Sequence, residues 1–76
     1  SRKLRERAIR IVQSLTGCTR GEAEGALERC NWEVRVAALV VAAGVDGEAA
    51  REALERAGWD FERALDLLTK RREGHA

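Results

Sequence analysis

Hydrophobic positions recur every three to four residues along most of the chain, which is typical of helices that bury one face. The stripe is clearest in residues 61–68, and residues 34–41 repeat it. The run from Val36 to Val45 is apolar around its whole circumference, which indicates a central helix that is buried on more than one side. The pattern predicts five helices, at about 2–15, 20–30, 33–43, 47–57 and 61–72.

The first helix carries a stripe of apolar residues with helical spacing, and we expect this stripe to pack on the other helices. A longer repeat organises the rest, because Thr19–Val41 aligns without a gap on Asp46–Leu68, at an offset of 27 residues. The stripe of the first helix consists of Leu4, Ala8, Ile11 and Leu15, widened by Ile9 and Val12; the seven identities of the repeat are Ala23, Ala26, Leu27, Glu28, Arg29, Trp32 and Ala37.

The repeat places the same boundary signals at the same positions. Thr19 aligns with Asp46, and both residue types are good N-caps. Asn31 aligns with Gly58, and both tolerate the left-handed conformation that ends many helices. Residues 19–22 have the form of a capping box. Each left-handed position precedes a tryptophan, expected to anchor the core, and then an acid, expected to begin the next helix.

These signals predict an all-α fold, a five-helix bundle of two fused three-helix units that share the central helix. The 76 residues form a single small domain. Its first unit covers 1–43, its second covers 34–72 and shares helix 33–43, and a tail at 73–76 is expected to fray. A chain this short buries only ~60 % of its potential surface, which disfavours a large enzymatic cleft.

Charge is nearly balanced overall but unevenly distributed. Fourteen Lys/Arg face thirteen Asp/Glu, so the bulk charge indicates neither a nucleic-acid nor a membrane partner. Residues 1–15, however, carry a net +4, and residues 44–68 carry −4. Nucleic-acid binding through the first helix and residues 70–72 is disfavoured, because no aromatic residue interleaves the cations of that helix.

Cations near a helix N-terminus oppose the macrodipole, so their concentration in the first helix points to a role other than stability. Lys3, Arg7 and Arg10 follow at i, i+4 and i+7, on one face, and form a candidate anion site. Three alternatives stay open: a solvated face, a contact with an acidic surface of another domain, and pairing with the acidic second repeat.

Catalytic, metal and membrane signals are absent from the sequence pattern. Cys18 and Cys30 lack CxxC or Cys/His spacing, and the only histidine is His75. We expect reduced thiols, a cytoplasmic setting, no cofactor, no metal site and no catalytic residue. The longest apolar run has ten residues, too short for a bilayer, so no membrane partner is expected.

The second repeat resembles the compact ubiquitin-associated fold, also called UBA/CUE-like, and the first repeat resembles it as well. The residues that carry the resemblance follow the pattern Ala-x-x-Ala-Leu-x-x-Ala-Gly-Trp-Asp-x-x-x-Ala-Leu-x-x-Leu-Leu in residues 50–68. The resemblance implies, as one hypothesis, a protein-interaction module for a ubiquitin-like or other partner. Its candidate docking loops contain Gly17 and Cys18 in the first unit, and Gly44 and Val45 in the second.

A second resemblance covers nearly the whole chain. Lys3–Val12, Thr16-Gly17-Cys18, Glu22-Ala23 with Leu27, and Val34–Ala37 resemble the C-terminal helical domain of bacterial N-acetylmuramic acid 6-phosphate etherases and of their relative, the glucokinase regulatory protein. The resemblance implies that a sugar-isomerase (SIS) domain, which dimerises and binds a sugar phosphate, precedes this region.

In that family the helical domain closes over the sugar-phosphate site as a lid. The Lys-Leu-x-x-Arg motif contributes cations there, which implies phosphate contacts by Lys3 and Arg7, with Arg10 as a weaker candidate. The implied partners are the SIS domain of the same parent chain or of its dimer mate, and a sugar phosphate. The parent would be a carbon–oxygen lyase that releases lactate, whereas this chain alone is expected to be catalytically inert.

Overall fold

Five α-helices make up the protein, as the sequence predicts. The structure, a computed structural model, describes residues 2–73. The helices are α1 (Arg2–Thr16), α2 (Arg20–Arg29), α3 (Val34–Ala43), α4 (Gly47–Arg56) and α5 (Phe61–Glu73), and residues 2–73 contain no strand. Of the tail predicted to fray, residues 74–76, which include His75, lie outside the described residues. Within the described range, no helix is both long and apolar enough to cross a membrane.

Side-chain caps fix where the helices begin. Thr19 and Glu22 form the predicted capping box before α2, with backbone-to-side-chain distances of 3.1 and 2.9 Å. The carboxylate of Asp46 accepts from the backbone N–H of Ala49, at 2.8 Å, before α4. Asp60 does the same for Arg63, at 2.9 Å, before α5. The N-cap of α3 has no such bond, because the Glu33 side chain pairs with Arg51 instead.

Two equivalent turns return the chain from the second to the third helix of each unit. Asn31 and Gly58 adopt φ values of 54° and 66°, which confirms the predicted left-handed positions. Trp32 and Trp59 are left-handed too, at 60° and 63°, which the sequence did not indicate. In both turns the tryptophan N–H donates to a leucine carbonyl five residues earlier, at 2.7 Å. The two consecutive left-handed residues are unfavourable on their own, but this turn lets the tryptophan N–H satisfy a carbonyl at the helix end.

The tryptophans pack against the core through one part of the ring and are covered by arginines elsewhere. Both are half-buried at the edge of the core. The guanidinium of Arg5 lies 4.8 Å from the Trp32 ring centroid, and Arg35 and Arg51 lie 5.7 and 5.8 Å from that of Trp59. These distances fit cation–π contacts. The tryptophans thus connect the core to the charged surface.

Helix α3 is central, as the apolar run from Val36 to Val45 predicts. It packs against α1 and α2 on one side and against α4 and α5 on the other. Five of its ten residues are buried, and this explains why it carries no polar face. The bounds of the two units, 1–43 and 34–72, stay a prediction. The buried residues of α3 are Val36, Ala37, Ala38, Leu39 and Ala43.

Helix α1 packs through a different face from the one predicted. Its buried residues are Ala8, Ile9 and Val12, whereas Leu4, which was expected in the core, is 65 % exposed. The expected stripe was therefore wrong in three of its four members. The helix is rotated so that the positions predicted only to widen the stripe form its centre. The two other members left at the surface are Ile11 (40 % exposed) and Leu15 (41 %).

Candidate functional site

The cations singled out in the sequence lie together on the outer side of α1. Lys3, Arg7 and Arg10 are all exposed. With Leu4 and Ile11 they line a shallow open groove along the helix. The i, i+4, i+7 spacing places them along one side, as predicted. The groove is a surface feature and not a closed cavity, so any ligand there must also be held from its other side.

The single acid of α1, Glu6, lines the same groove but is paired with a residue of another helix. The Glu6 carboxylate accepts from the Arg20 guanidinium of α2 at 2.6 Å. This hydrogen bond, reinforced by the nearby charges of Arg20, Arg10 and Arg2, lowers the pKa of Glu6 below its usual value. The carboxylate therefore stays ionised and engaged with α2. Lys3, Arg7 and Arg10 make no ion pair with it, because its ion pair is with Arg20.

Pairing with the acidic second repeat, one alternative for these cations, is not found. Among residues 2–70, whose side chains the structure describes, the ion pairs are Arg20 with Glu6, Arg51 with Glu33, and Lys70 with Asp66. Lys3, Arg7 and Arg10 belong to none of them, so their charges are not balanced by residues 44–68. The acidic second half and the basic first helix are instead separate surfaces of one small domain.

The chemistry available to these cations is anion binding. Lysine presents a compact, rotatable point charge, and arginine presents a planar fork that matches two phosphate oxygens. In full contact with water such contacts are weak, because solvent screens them. They gain strength when an opposing surface excludes water. The side chains of α1 are thus suited to supply one half of an anion site.

The loop residues proposed for partner docking occupy equivalent places in the two units. Gly17 and Gly44 are exposed and left-handed, with φ values of 75° and 68°. Cys18 and Val45 are half-buried and pack against the core. Each loop therefore offers mainly glycine backbone to a partner, and less apolar surface than α1 does. Their role in docking stays a prediction.

The two cysteines are free thiols, as expected, with Cys18 half-buried and Cys30 buried. Burial raises the pKa of the Cys30 thiol, which keeps it protonated and unreactive at neutral pH. No group of three or more potential metal ligands occurs among residues 2–73.

Sequence reasoning missed the surface role of the aliphatic residues beside the cations. Leu4, Ile11 and Leu15 were assigned to the core, yet they account for three of the four large hydrophobic residues exposed in the described chain. A signal was present in their spacing. Positions separated by seven and eleven residues lie on one side of a helix, distinct from the side that carries Ile9 and Val12.

Comparison with known proteins agrees with both resemblances. The sequence model of the UBA-like domain matches the chain twice, at residues 6–40 and 36–67. The two matches overlap within α3, and together they cover most of the chain. No solved structure matches it.

Curated relatives of the chain include N-acetylmuramic acid 6-phosphate etherases. N-acetylmuramic acid 6-phosphate etherase 1 of Bacillus licheniformis is 41 % identical over 68 residues, 90 % of this chain and 22 % of its own length. The etherase of Mesorhizobium japonicum is 43 % identical over 65 residues, 86 % of this chain and 21 % of its own length. The etherase of Rhizobium rhizogenes is 39 % identical over 69 residues, 91 % of this chain and 22 % of its own length. The chain thus spans about a fifth of the relatives it matches.

Proposed function

Since the chain belongs to the UBA-like domain family, we propose that it serves as the helical lid of a SIS-type sugar-phosphate protein, namely an N-acetylmuramic acid 6-phosphate etherase. In this role the outer side of α1 faces the sugar-phosphate site. Lys3 and Arg7 bind the phosphate as point charge and planar fork, and Arg10 adds a weaker contact. The parent cleaves the lactyl ether of N-acetylmuramic acid 6-phosphate, a step in peptidoglycan recycling.

The observation that carries this proposal is the unbalanced positive charge of α1 in a chain related to etherases. Three of them are 39–43 % identical to this chain over 65–69 of its 76 residues. Lys3, Arg7 and Arg10 make no ion pair with the described side chains of residues 2–70, although residues 44–68 carry a net −4. Cations kept free of internal partners are available to an external anion.

The remaining parts of the site belong to other surfaces. Phosphate binding by an open groove needs a second wall, which we assign to the SIS domain of the same parent chain or of its dimer mate. The chain itself contributes no catalytic group, so its part is binding and exclusion of water. A cytoplasmic setting belongs to this proposal, and the two free thiols support it.

Kinetics of the parent enzyme test the proposal. Lys3→Ala and Arg7→Ala should each raise KM for the sugar phosphate by about tenfold, the scale expected for one charge-assisted hydrogen bond. Lys70→Ala and Arg56→Ala are matched controls, because they remove exposed cations from α5 and α4. KM values for Lys3→Ala and Arg7→Ala equal to those of the controls would refute the phosphate contacts.

The second candidate function is a UBA/CUE-like interaction module without a catalytic role, which the family match favours. A titration of the ¹⁵N-labelled chain at low salt separates the two. N-acetylmuramic acid 6-phosphate should shift the amide signals of residues 2–10, and inorganic phosphate should shift them less. Shifts around Gly17 and Gly44 with ubiquitin, and none with the sugar phosphate, would favour the interaction module.

A further inference from the structure

Helix α1 carries an apolar strip that no part of the described chain covers. We call it the α1 strip and define it as Leu4, Ile11 and Leu15, which are 65 %, 40 % and 41 % exposed. The three positions are separated by seven and four residues, so their side chains lie along one line of the helix. One other large hydrophobic residue of the described chain is comparably exposed, Leu67 on α5. Scattered single residues need no explanation, but an aligned set of three indicates a contact surface.

Cations border the α1 strip on the side away from the core. Lys3, Arg7 and Arg10 lie along this border and line the open groove together with Leu4 and Ile11. Glu6 lines the groove as well, but its carboxylate is paired with Arg20 of α2. The surface is therefore apolar along the strip and positive beside it. Its complement is an apolar patch with carboxylates at its edge.

The repeat shows what packs on the equivalent face of another helix. In the 27-residue register, Ile11 of α1 corresponds to Ala38 of α3, and Arg7 corresponds to Val34. Ala38 is fully buried, in a helix that packs against both α1 and α2 on one side. The equivalent face of α1 has no preceding helices in the described chain. This face of α1 is therefore a packing surface of the fold that stays uncovered in the described chain. It has the aliphatic Ile11 where α3 has Ala38, and the cation Arg7 where α3 has Val34.

We propose that the α1 strip is a resting interface, that is, a contact already formed in the absence of sugar phosphate. In this contact the strip docks on an apolar patch, edged by carboxylates, of the parent chain outside these 76 residues. The size of that chain argues for this occupant, because the related etherases extend over more than four-fifths of their length beyond the match. Charge complementarity fixes the chemistry of the patch. The inference rests on the proposed role as one domain of a longer etherase-like parent, but not on the phosphate contacts.

Thiol labelling tests the resting interface directly. Ile11→Cys is placed in a Cys18→Ser, Cys30→Ala background, and Leu67→Cys in the same background is the matched control. Each variant is prepared in the 76-residue chain and in the full parent, without sugar phosphate. Maleimide modification of the substituted peptide is followed by mass spectrometry. Ile11→Cys should react about tenfold slower in the parent than in the 76-residue chain, whereas Leu67→Cys should react at similar rates in both.

Leu15→Cys provides a second position on the strip in case Ile11→Cys disturbs folding, and helical circular dichroism confirms that each variant is folded. Protection of Ile11 and Leu15 in the ligand-free parent, weakened by high salt, supports the interface. Equal rates in the parent and the 76-residue chain would overturn it. So would protection that appears in the 76-residue chain with rising concentration, because a second copy would then be the occupant.

The outcome is separable from that of the proposed phosphate site. Protection that appears only after the sugar phosphate is added would overturn the resting interface and leave the phosphate contacts intact. Protection without ligand, together with an unchanged KM in Lys3→Ala and Arg7→Ala, would support the interface and refute those contacts.

Discussion

Helices α1 and α3 hold the same position in their three-helix units and bury the same inward face. In the 27-residue register Ile9 corresponds to Val36 and Val12 to Leu39. All four are at most 1 % exposed. The inward face is thus conserved between the two units as an aliphatic pair one turn apart, and it is the part of the repeat that makes the fold.

The outward faces of the same two helices differ completely. Val34 and Ala38 of α3 pack within the bundle, whereas Arg7 and Ile11 of α1 are at the surface. The difference follows from the sharing of α3, which packs against α1 and α2 as well as against α4 and α5, whereas α1 packs mainly against α2 and α3.

The largest expected effect tests whether the cores of the two units are equivalent. Leu27 and Leu54 correspond in the register and are both fully buried. Leu27→Ala and Leu54→Ala should each lower the free energy of unfolding by about 2–5 kcal/mol, and by similar amounts, because each removes the same buried side chain. Urea denaturation measures both. Values that differ by more than about 2 kcal/mol would show that the two cores are not equivalent.

The equivalent left-handed turns provide the next test. Gly58→Ala should cost about 1–2 kcal/mol, because alanine is strained at φ 66° although open space surrounds the position. Gly58→Asn should cost clearly less, since Asn31 already holds the same place in the other unit. Thermal unfolding of the two variants compares them. An alanine variant as stable as the asparagine variant would contradict the strain.

Asp60 and Glu33, the acids before the third helix of each unit, should differ by a smaller amount in their contribution to stability. Asp60→Ala should lower the free energy of unfolding by about 1 kcal/mol, because it removes the N-cap bond to Arg63. Glu33→Ala should cost less than about 0.5 kcal/mol, since this side chain makes a surface ion pair with Arg51 and no cap bond. Chemical denaturation measures both changes. Equal losses would mean that Glu33 caps α3 in solution.

The smallest effect concerns Glu6, the acid of α1 that pairs with Arg20 of α2. The pKa of Glu6 is lowered in the folded state, so its contribution is complete above the ordinary glutamate value and is lost as the pH falls through the lowered one. Glu6→Gln should therefore flatten the acid side of the stability profile. Glu52→Gln, on the exposed side of α4, is the control. Identical profiles for the two variants would contradict the pairing with Arg20.

Most of the fold could be predicted because local chemistry determines it. The capping box at Thr19, the Asp46 cap and the left-handed Asn31 and Gly58 each depend on a few neighbouring residues, and all are confirmed. The central position of α3 followed from its lack of any polar face. The cations of α1 could also be located from the sequence, because their spacing alone places them on one side.

The orientation of α1 could not be predicted in the same way. Its six apolar residues span roughly 160° of the circumference, wide enough for two overlapping stripes to fit the helical period. Which one is buried depends on the surfaces that α2 and α3 present, and Ile9 and Val12 meet them. The left-handed conformation of the tryptophans was missed because it depends on the turn as a whole and not on a preference of tryptophan.

The sharing of α3 has a consequence for how such a fold can grow. A three-helix unit that shares its first helix with the preceding unit adds only 27 residues to the chain, so each further unit would need few residues. Yet Arg63 and Asp66 of α5 stand where α3 has Val36 and Leu39. A further copy would find charges in place of the aliphatic pair that it must pack on, and α5 therefore terminates the series as a polar end cap.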